Sequence, residues 1–238
     1  LRFHDHDDIA LGRALYKSLP EDEFDRQPLI GGGGRYVLAA DLRLDNGDEL
    51  LAAMNGDCGG NRLSHAAILL MAFERWGEAA LDRIIGDFAF ALWDRDKRRL
   101  LLARDPTGQR PLHYHRAPGF VAFSSLAKGL HALPSLPRRP NVERLAEFIG
   151  LVPNTGSGSF YADVERVRPG HLLIVTQAGI IDRRYWTPQF EDGGFRRVED
   201  WRDAFRSELD RAVRVRMRRA GNRLGAHLSG AWDSSAVA

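Results

Sequence analysis

Cysteine is almost missing from this chain: Cys58 is the only one in 238 residues. A single cysteine excludes an intrachain disulfide and fits a reducing compartment, so the cytoplasm is the expected location. No apolar run approaches the roughly 18 residues of a spanning helix, so no membrane partner is expected. The opening Leu1-Arg2-Phe3-His4-Asp5-His6-Asp7-Asp8 is polar and acidic, unlike a secretory signal. It lacks an initiator methionine, so a natural start upstream of Leu1 is expected. Excess charge of one sign is also missing. Thirty-four basic residues against thirty-two acidic ones leave +2, which gives no footing for nucleic acid. What is present is an ordinary globular balance, 44% hydrophobic and 28% charged. The length suits one large domain, or one domain with a fragment of another.

Strand signals fill the first two thirds. Arg35-Tyr36-Val37-Leu38-Ala39-Ala40 follows the glycines at 31–34. Those glycines lead into a strand and not a helix, so they read as a hairpin turn and not a phosphate cradle. Residues 63–76 predict a helix: Leu69, Ala72, Phe73 and Trp76 share one face, and Gly77 is placed to cap it. Phe88-Ala89-Phe90-Ala91-Leu92-Trp93 is a continuous apolar run, as in a strand covered on both faces. Turns at Asp94-Arg95-Asp96-Lys97, Asp105-Pro106-Thr107-Gly108 and Pro118-Gly119 break the following strands into a meander. Short helices are expected at 125–130 and 142–149, and strands again between 160 and 186.

Composition shifts at Thr187-Pro188-Gln189-Phe190-Glu191-Asp192-Gly193-Gly194, read as a linker, with a domain boundary at 190/191. Beyond it Trp201, Phe205, Leu209, Ala212, Val213 and Met217 line one helical face. The opposite face is rich in arginine but interrupted by Asp203, Glu208 and Asp210, which makes it a solvated face. A strand over 224–228 then enters Ser229-Gly230-Ala231-Trp232-Asp233-Ser234, with a helix starting near Ser234. Such a loop gathers N–H groups that favour a phosphate. Read alone, it is equally an ordinary strand–helix turn with Ser229 as a cap. It is not a P-loop, because no Gly-Lys-Ser/Thr follows.

Five motifs in one order carry a resemblance: Gly86-Asp87-Phe88-Ala89-Phe90-Ala91-Leu92-Trp93-Asp94; Leu102-Ala103-Arg104-Asp105-Pro106-Thr107-Gly108-Gln109-Arg110-Pro111-Leu112; Phe123-Ser124-Ser125-Leu126-Ala127-Lys128-Gly129-Leu130; Val167-Arg168-Pro169-Gly170-His171; and Leu228-Ser229-Gly230-Ala231-Trp232-Asp233-Ser234-Ser235. Together they resemble the asparagine synthetase family. The resemblance implies an α+β fold over residues 1–190. It would be an N-terminal-nucleophile-type αββα sandwich with two antiparallel sheets, a class II glutamine amidotransferase domain. Residues 191–238 would open a parallel-sheet α/β synthetase domain that continues past Ala238. In such enzymes ammonia from glutamine reaches a carboxylate activated as an acyl-adenylate with ATP and Mg²⁺. Leu228, Ser229, Gly230, Ala231, Asp233 and Ser234 would then hold the pyrophosphate, and Asp233 would stand near Mg²⁺. Ala231 replaces a family glycine, so its Cβ is expected to crowd the phosphate or strain a positive φ.

The glutaminase half reads as degenerate. The reaction needs an N-terminal cysteine, and this chain begins at Leu1, with Cys58 in a mid-chain loop. The family's N-G-E-I-Y-N aligns with Asp41-Leu42-Arg43-Leu44-Asp45-Asn46, where only Asn46 survives. His65 stands where an aspartate would meet the glutamine ammonium, a loss of roughly 1.5–3 kcal/mol. Arg13 is the relic of the arginine that grips the ligand carboxylate. A dead glutaminase with a kept pyrophosphate loop resembles lasso-peptide cyclases and β-lactam synthetases; the resemblance implies an amine from the substrate itself, or from free ammonia as in other divergent members. Ala39-Ala40-Asp41-Leu42-Arg43-Leu44-Asp45-Asn46 and Arg183-Arg184-Tyr185-Trp186 look closer to the cyclase-like branch.

The expected partner is a small-molecule or peptide carboxylate, and a homodimer is allowed. Two alternatives stand: an active glutamine-hydrolysing asparagine synthetase, and a non-catalytic scaffold or peptide-binding module. His4-Asp5-His6-Asp7-Asp8 is read as a polar tail and not a metal site, and His113 and His115 as satisfied histidines.

Overall fold

The computed structural model describes residues 2–6, 8–17, 19–54, 63–190, 193–218 and 225–237. Leu1, Asp7, Cys58 and Leu224 lie outside the described residues, and with them the readings of a chain start and a loop thiol. The chain opens with β1 (Arg2–His6), β2 (Ile9–Arg13), β3 (Leu29–Gly31) and β4 (Tyr36–Leu44). Next come α1 (Gly47–Ala53), α2 (His65–Trp76), β5 (Gly86–Asp94), β6 (Arg99–Arg104), β7 (His113–Ala117) and β8 (Phe120–Ser124). Then α3 (Ala127–Leu130), α4 (Val142–Ile149), β9 (Glu165–Arg166), β10 (His171–Thr176) and β11 (Gly179–Arg184) follow. Last are α5 (Val198–Arg216) and α6 (Trp232–Val237). The chain divides into two compact units, residues 1–16 with 24–187, and residues 17–23 with 188–238. Among the described residues no helix is long and apolar enough to cross a membrane.

In the first unit a six-stranded antiparallel sheet runs β11-β10-β6-β5-β4-β3. The middle stretches of its central strands, 37–40, 88–93 and 100–103, are apolar at successive positions, because successive side chains point to opposite faces and both faces are covered. Leu38 and Ala40 of β4, Phe88, Phe90 and Leu92 of β5, and Leu101 of β6 pack with Leu69, Ala72 and Phe73 of α2. The intervening Val37, Ala39, Ala89, Ala91, Trp93 and Leu102 pack with Leu11 of β2 and Tyr114 of β7. Beyond that second strand layer, Leu130 of α3 joins Leu136 and Val164 in a small outer cluster. The layering is thus α, β, β, α, the expected α+β sandwich. One detail differs: the second layer is two separate sheets, β8-β7-β9 and the hairpin β1-β2. That hairpin closes its own ladder and docks through Ile9 and Leu11, with no hydrogen-bonded pairing to other strands among the described residues.

Local signals explain the elements that frame this core. Ser64 caps α2 by accepting from Ala67 N at 3.2 Å, and Gly77 ends it at φ +60. The glycines at 32, 33 and 34 all take positive φ in the tight β3–β4 connection, as expected of a hairpin turn. β4 outruns its short neighbour β3, and side chains complete its open edge. Gln27 bonds both backbone groups of Ala40, and the His65 ring accepts from Leu44 N at 3.0 Å.

Asp94 closes the β5–β6 hairpin with its side chain fully buried. It takes a two-pronged contact from Arg35, at 2.8 and 2.9 Å, and a bond from Lys97 N at 3.3 Å. Burial alone would raise its carboxyl, but Arg35, Lys97 N and Arg99 outweigh it and hold it below the usual carboxylate range. A carboxyl depressed on folding stabilises above its unfolded pKa, and that contribution fades as pH falls through the folded value. Asp94→Asn is therefore expected to cost about 3 kcal/mol at neutral pH. Urea titrations should show this gap narrowing below about pH 4. A gap as wide at about pH 3 as at neutrality would refute the assignment.

In the second unit α5 places Glu199 and Asp200 in its first turn and Arg214 and Arg216 in its last, complementing the helix dipole. Trp201 meets the Phe195 ring edge-on at 5.1 Å and donates to Phe195 O at 3.2 Å. The expected apolar face forms, yet Trp201, Phe205 and Met217 remain exposed. The strand expected over 224–228 does not form at residues 225–228, which are irregular. A lone strand has no ladder to satisfy its backbone, so tertiary pairing outweighs local propensity there.

Candidate functional site

The space between the two strand layers ends at Arg13, the last residue of β2. Asp41 of β4 alternates in phase with Val37 and Ala39, so it faces the same layer. Arg13 Nη2 donates to Asp41 Oδ1 at 3.3 Å, and Arg110 Nη1 lies 3.8 Å from the same oxygen. These three side chains are 20 to 33% exposed, so the ion pair is partly shielded from water. Arg13 Nε and Arg110 Nε are buried and have no acceptor among the described residues. The structure thus joins two of the four sequence-selected glutamine-site residues and adds Arg110. Sequence gives no sign of that partner, because Arg110 sits inside the second motif, 69 residues from Asp41.

Asn46 and His65 go elsewhere. Asn46 donates from Nδ2 to Arg83 O at 2.8 Å and accepts at Oδ1 from Ile85 N at 3.0 Å. Both ends of its amide tie down the 83–85 turn. His65, 5% exposed, caps the β4 edge at Leu44 on the α2 side. Both are used as structural fasteners.

The Arg104-Asp105 motif also proves to be a fastener. Asp105 is fully buried. Its Oδ1 accepts from Thr107 N at 3.1 Å, Thr107 Oγ1 at 3.0 Å and Gln109 N at 2.9 Å. Its Oδ2 accepts from Arg110 N at 3.0 Å and Phe88 N at 3.4 Å. Arg104 bonds the carbonyls of Arg110, Val167 and Gly108 at 2.7, 3.0 and 2.5 Å. The loop that carries Arg110 toward Asp41 is rigid for this reason. His113 and His115 lie on β7 with Nδ1 3.2 Å from Ser125 O and 2.6 Å from Asp163 O, satisfied as expected. Burial pushes the His113 ring down.

In the second unit the hydroxyl loop bonds to itself. Ser229 and Ser234 hydroxyls are 3.0 Å apart, and Ser229 N donates to Ser234 Oγ at 3.2 Å. Ser234 and Ser235 both donate to Ala231 O. The left-handed position is Gly230, at φ +79, while Ala231 is not among the residues with positive φ. The strain expected at Ala231 therefore does not arise. Leu228, Ala231 and Asp233 are exposed, with Asp233 in the first turn of the six-residue α6.

Residues 3–186 match the glutamine amidotransferase domain family over their whole length. The chain belongs to this family. The amidotransferase domain resembles the glutamine-hydrolyzing asparagine synthetase 3 of Bacillus subtilis, with 30% identity over 184 residues. That match covers 74% of this chain and 28% of the relative. Glutamine-hydrolyzing asparagine synthetase 2 of the same organism is 28% identical over 229 residues, 90% of this chain and 30% of the relative. The chain thus spans less than a third of the length of these curated relatives, which place the amidotransferase domain with the asparagine synthetase type. A solved glutamine phosphoribosylpyrophosphate amidotransferase from B. subtilis aligns at TM-score 0.49 and 19% identity, over 68% of this chain and 32% of that one.

Proposed function

We propose that this amidotransferase domain serves a longer, asparagine synthetase-like protein that forms an amide bond with ATP, and that its own glutamine site is silent. The observation that carries the second half is the Arg13–Asp41 pair. The arginine suited to a ligand carboxylate is already engaged by a carboxylate of the protein, with Arg110 behind it. An incoming glutamine must first break that pair, and Asn46 and His65, each tied to backbone by other contacts, are not gathered beside it. In the ATP half, residues 228–234 supply backbone and hydroxyl donors for pyrophosphate, and Asp233 supplies an oxygen ligand for Mg²⁺. The exposed apolar stripe of α5 is the kind of surface a synthetase core would cover. The acceptor is a small-molecule or peptide carboxylate, the amine comes from the substrate as in cyclase-like relatives, and the setting is the cytoplasm.

One observation favours a second reading, an active glutaminase. The unpaired Nε atoms of Arg13 and Arg110 could still take a ligand carboxylate. Glutamate release separates the two. The natural full-length protein is expected to release no glutamate from glutamine above background, and to exchange labelled pyrophosphate into ATP when its carboxylate substrate is present. Steady glutamate release would establish the active glutaminase instead.

A further inference from the structure

Arginines from four stretches of the first unit meet around one cavity of about 420 Å³. Arg104 ends β6, Arg166 ends β9, Arg168 precedes the Pro169-Gly170 turn, and Arg184 ends β11. Asn154, Thr155, Gly156 and His171 complete the polar wall, with Val167 and Pro169 as its apolar part.

The cations are unevenly neutralised. Arg168 donates to Asp182 Oδ2 through Nε at 3.2 Å and Nη2 at 2.8 Å, and His171 Nδ1 lies 2.6 Å from Oδ1 of the same residue. Arg104 is committed to three carbonyls, and the adjacent Asp105 carboxylate is filled by its own loop. Arg166 and Arg184 meet only carbonyls, Gly156 O at 3.3 Å and Trp186 O at 2.9 Å, and neither forms an ion pair among the described residues. Arg166 Nε is buried with no acceptor among the described residues. Burial, and then the nearby Arg144, push the Arg166 guanidinium below its usual range. Burial does the same to Arg104, with Asp105 opposing and Arg166 adding. Crowded, partly desolvated cations of this kind are relieved by an anion.

The geometry points to a binding site for a compact polyanion of the phosphate class, of about diphosphate size, held chiefly by Arg166 and Arg184. Planar guanidinium forks match phosphate oxygens two at a time. Several converging forks suit more than one negative charge, and the volume exceeds what a single inorganic phosphate fills. Among the described residues no Phe, Tyr or Trp lines the wall, and the His171 ring is held by Asp182, so the anion and not a nucleobase is recognised. Asn154 and Thr155 add neutral donors at the rim.

The test is calorimetric titration of the intact chain with inorganic pyrophosphate. Arg166→Gln and Arg184→Gln are each expected to weaken binding tenfold or more, the effect of losing a charge-assisted contact. Arg183→Gln serves as the control, because Arg183 points to the other face of β11 and pairs with Glu78. Its affinity should stay within about twofold of wild type. Arg184 is exposed, so its variant decides the matter if Arg166→Gln fails to fold, as judged by circular dichroism. Absent binding, equal losses in all three variants, or binding that follows Ser234→Ala in the terminal loop and ignores the arginines would each overturn the site.

Discussion

Replacing Asp105 by alanine is expected to lower the melting temperature of the first unit by about 10 °C, a loss near 4 kcal/mol. The size follows from geometry. One buried carboxylate satisfies four backbone or hydroxyl donors within its own loop and a fifth on β5, and alanine leaves all five facing a dry hole. Asp105→Asn discriminates further. Its carbonyl oxygen can keep the three contacts of Oδ1, but its amide would point donors at Arg110 N and Phe88 N. About half the alanine loss is expected for it. Calorimetric or circular-dichroism melts check both. Asp105→Ala melting within about 2 °C of wild type would show that water replaces the carboxylate.

Phe90→Ala is expected to cost about 3–5 kcal/mol in urea-induced unfolding. Phe90 is 1% exposed on β5, which is paired on both sides. It meets Phe73 of α2 edge-on with ring centroids 5.4 Å apart and stacks on Phe88 at 5.8 Å. Two aromatic contacts and a full side-chain volume disappear together, in a layer pinned by strands on either side that cannot collapse inward. Phe120→Ala, on a residue 45% exposed, is the comparison and should cost less than about 1 kcal/mol. A Phe90→Ala loss no larger than that would place the core elsewhere.

Regular, covered segments are legible in the sequence. The helix over 142–149 appears with those bounds and an Asn141 cap, and α2 begins two residues inside its expected range. The β5–β6 and β7–β8 hairpins follow their turn residues, but the expected single meander does not form: β6 pairs with β10, and β7 and β8 belong to the second layer. Less readable was whatever depends on distant partners. β4 was expected to stop at Ala40, because Asp41 and Arg43 interrupt its apolar run. It continues to Leu44, since those charges pair with Arg13 and Asp45. The β1–β2 hairpin hid in a stretch that looked like a charged tail. The helix α1 and the two-residue β9 gave no periodicity to detect. Family motifs marked where Arg13, Asp41, Asn46 and His65 stand in sequence. Only contacts could reveal that Asn46 and His65 hold backbone, and that positions 104, 166, 168 and 184 share one cavity.

The borders of the main sheet limit how copies of this domain can meet. On one side β3 is three residues long and follows a proline, Pro28. On the other, β11 ends in Asp182, Arg183 and Arg184. Brief or charged margins discourage a foreign strand from zipping on. Pairing of two copies through the edges of this sheet is thereby disfavoured, as is fibre growth by its lateral extension, even in concentrated solution.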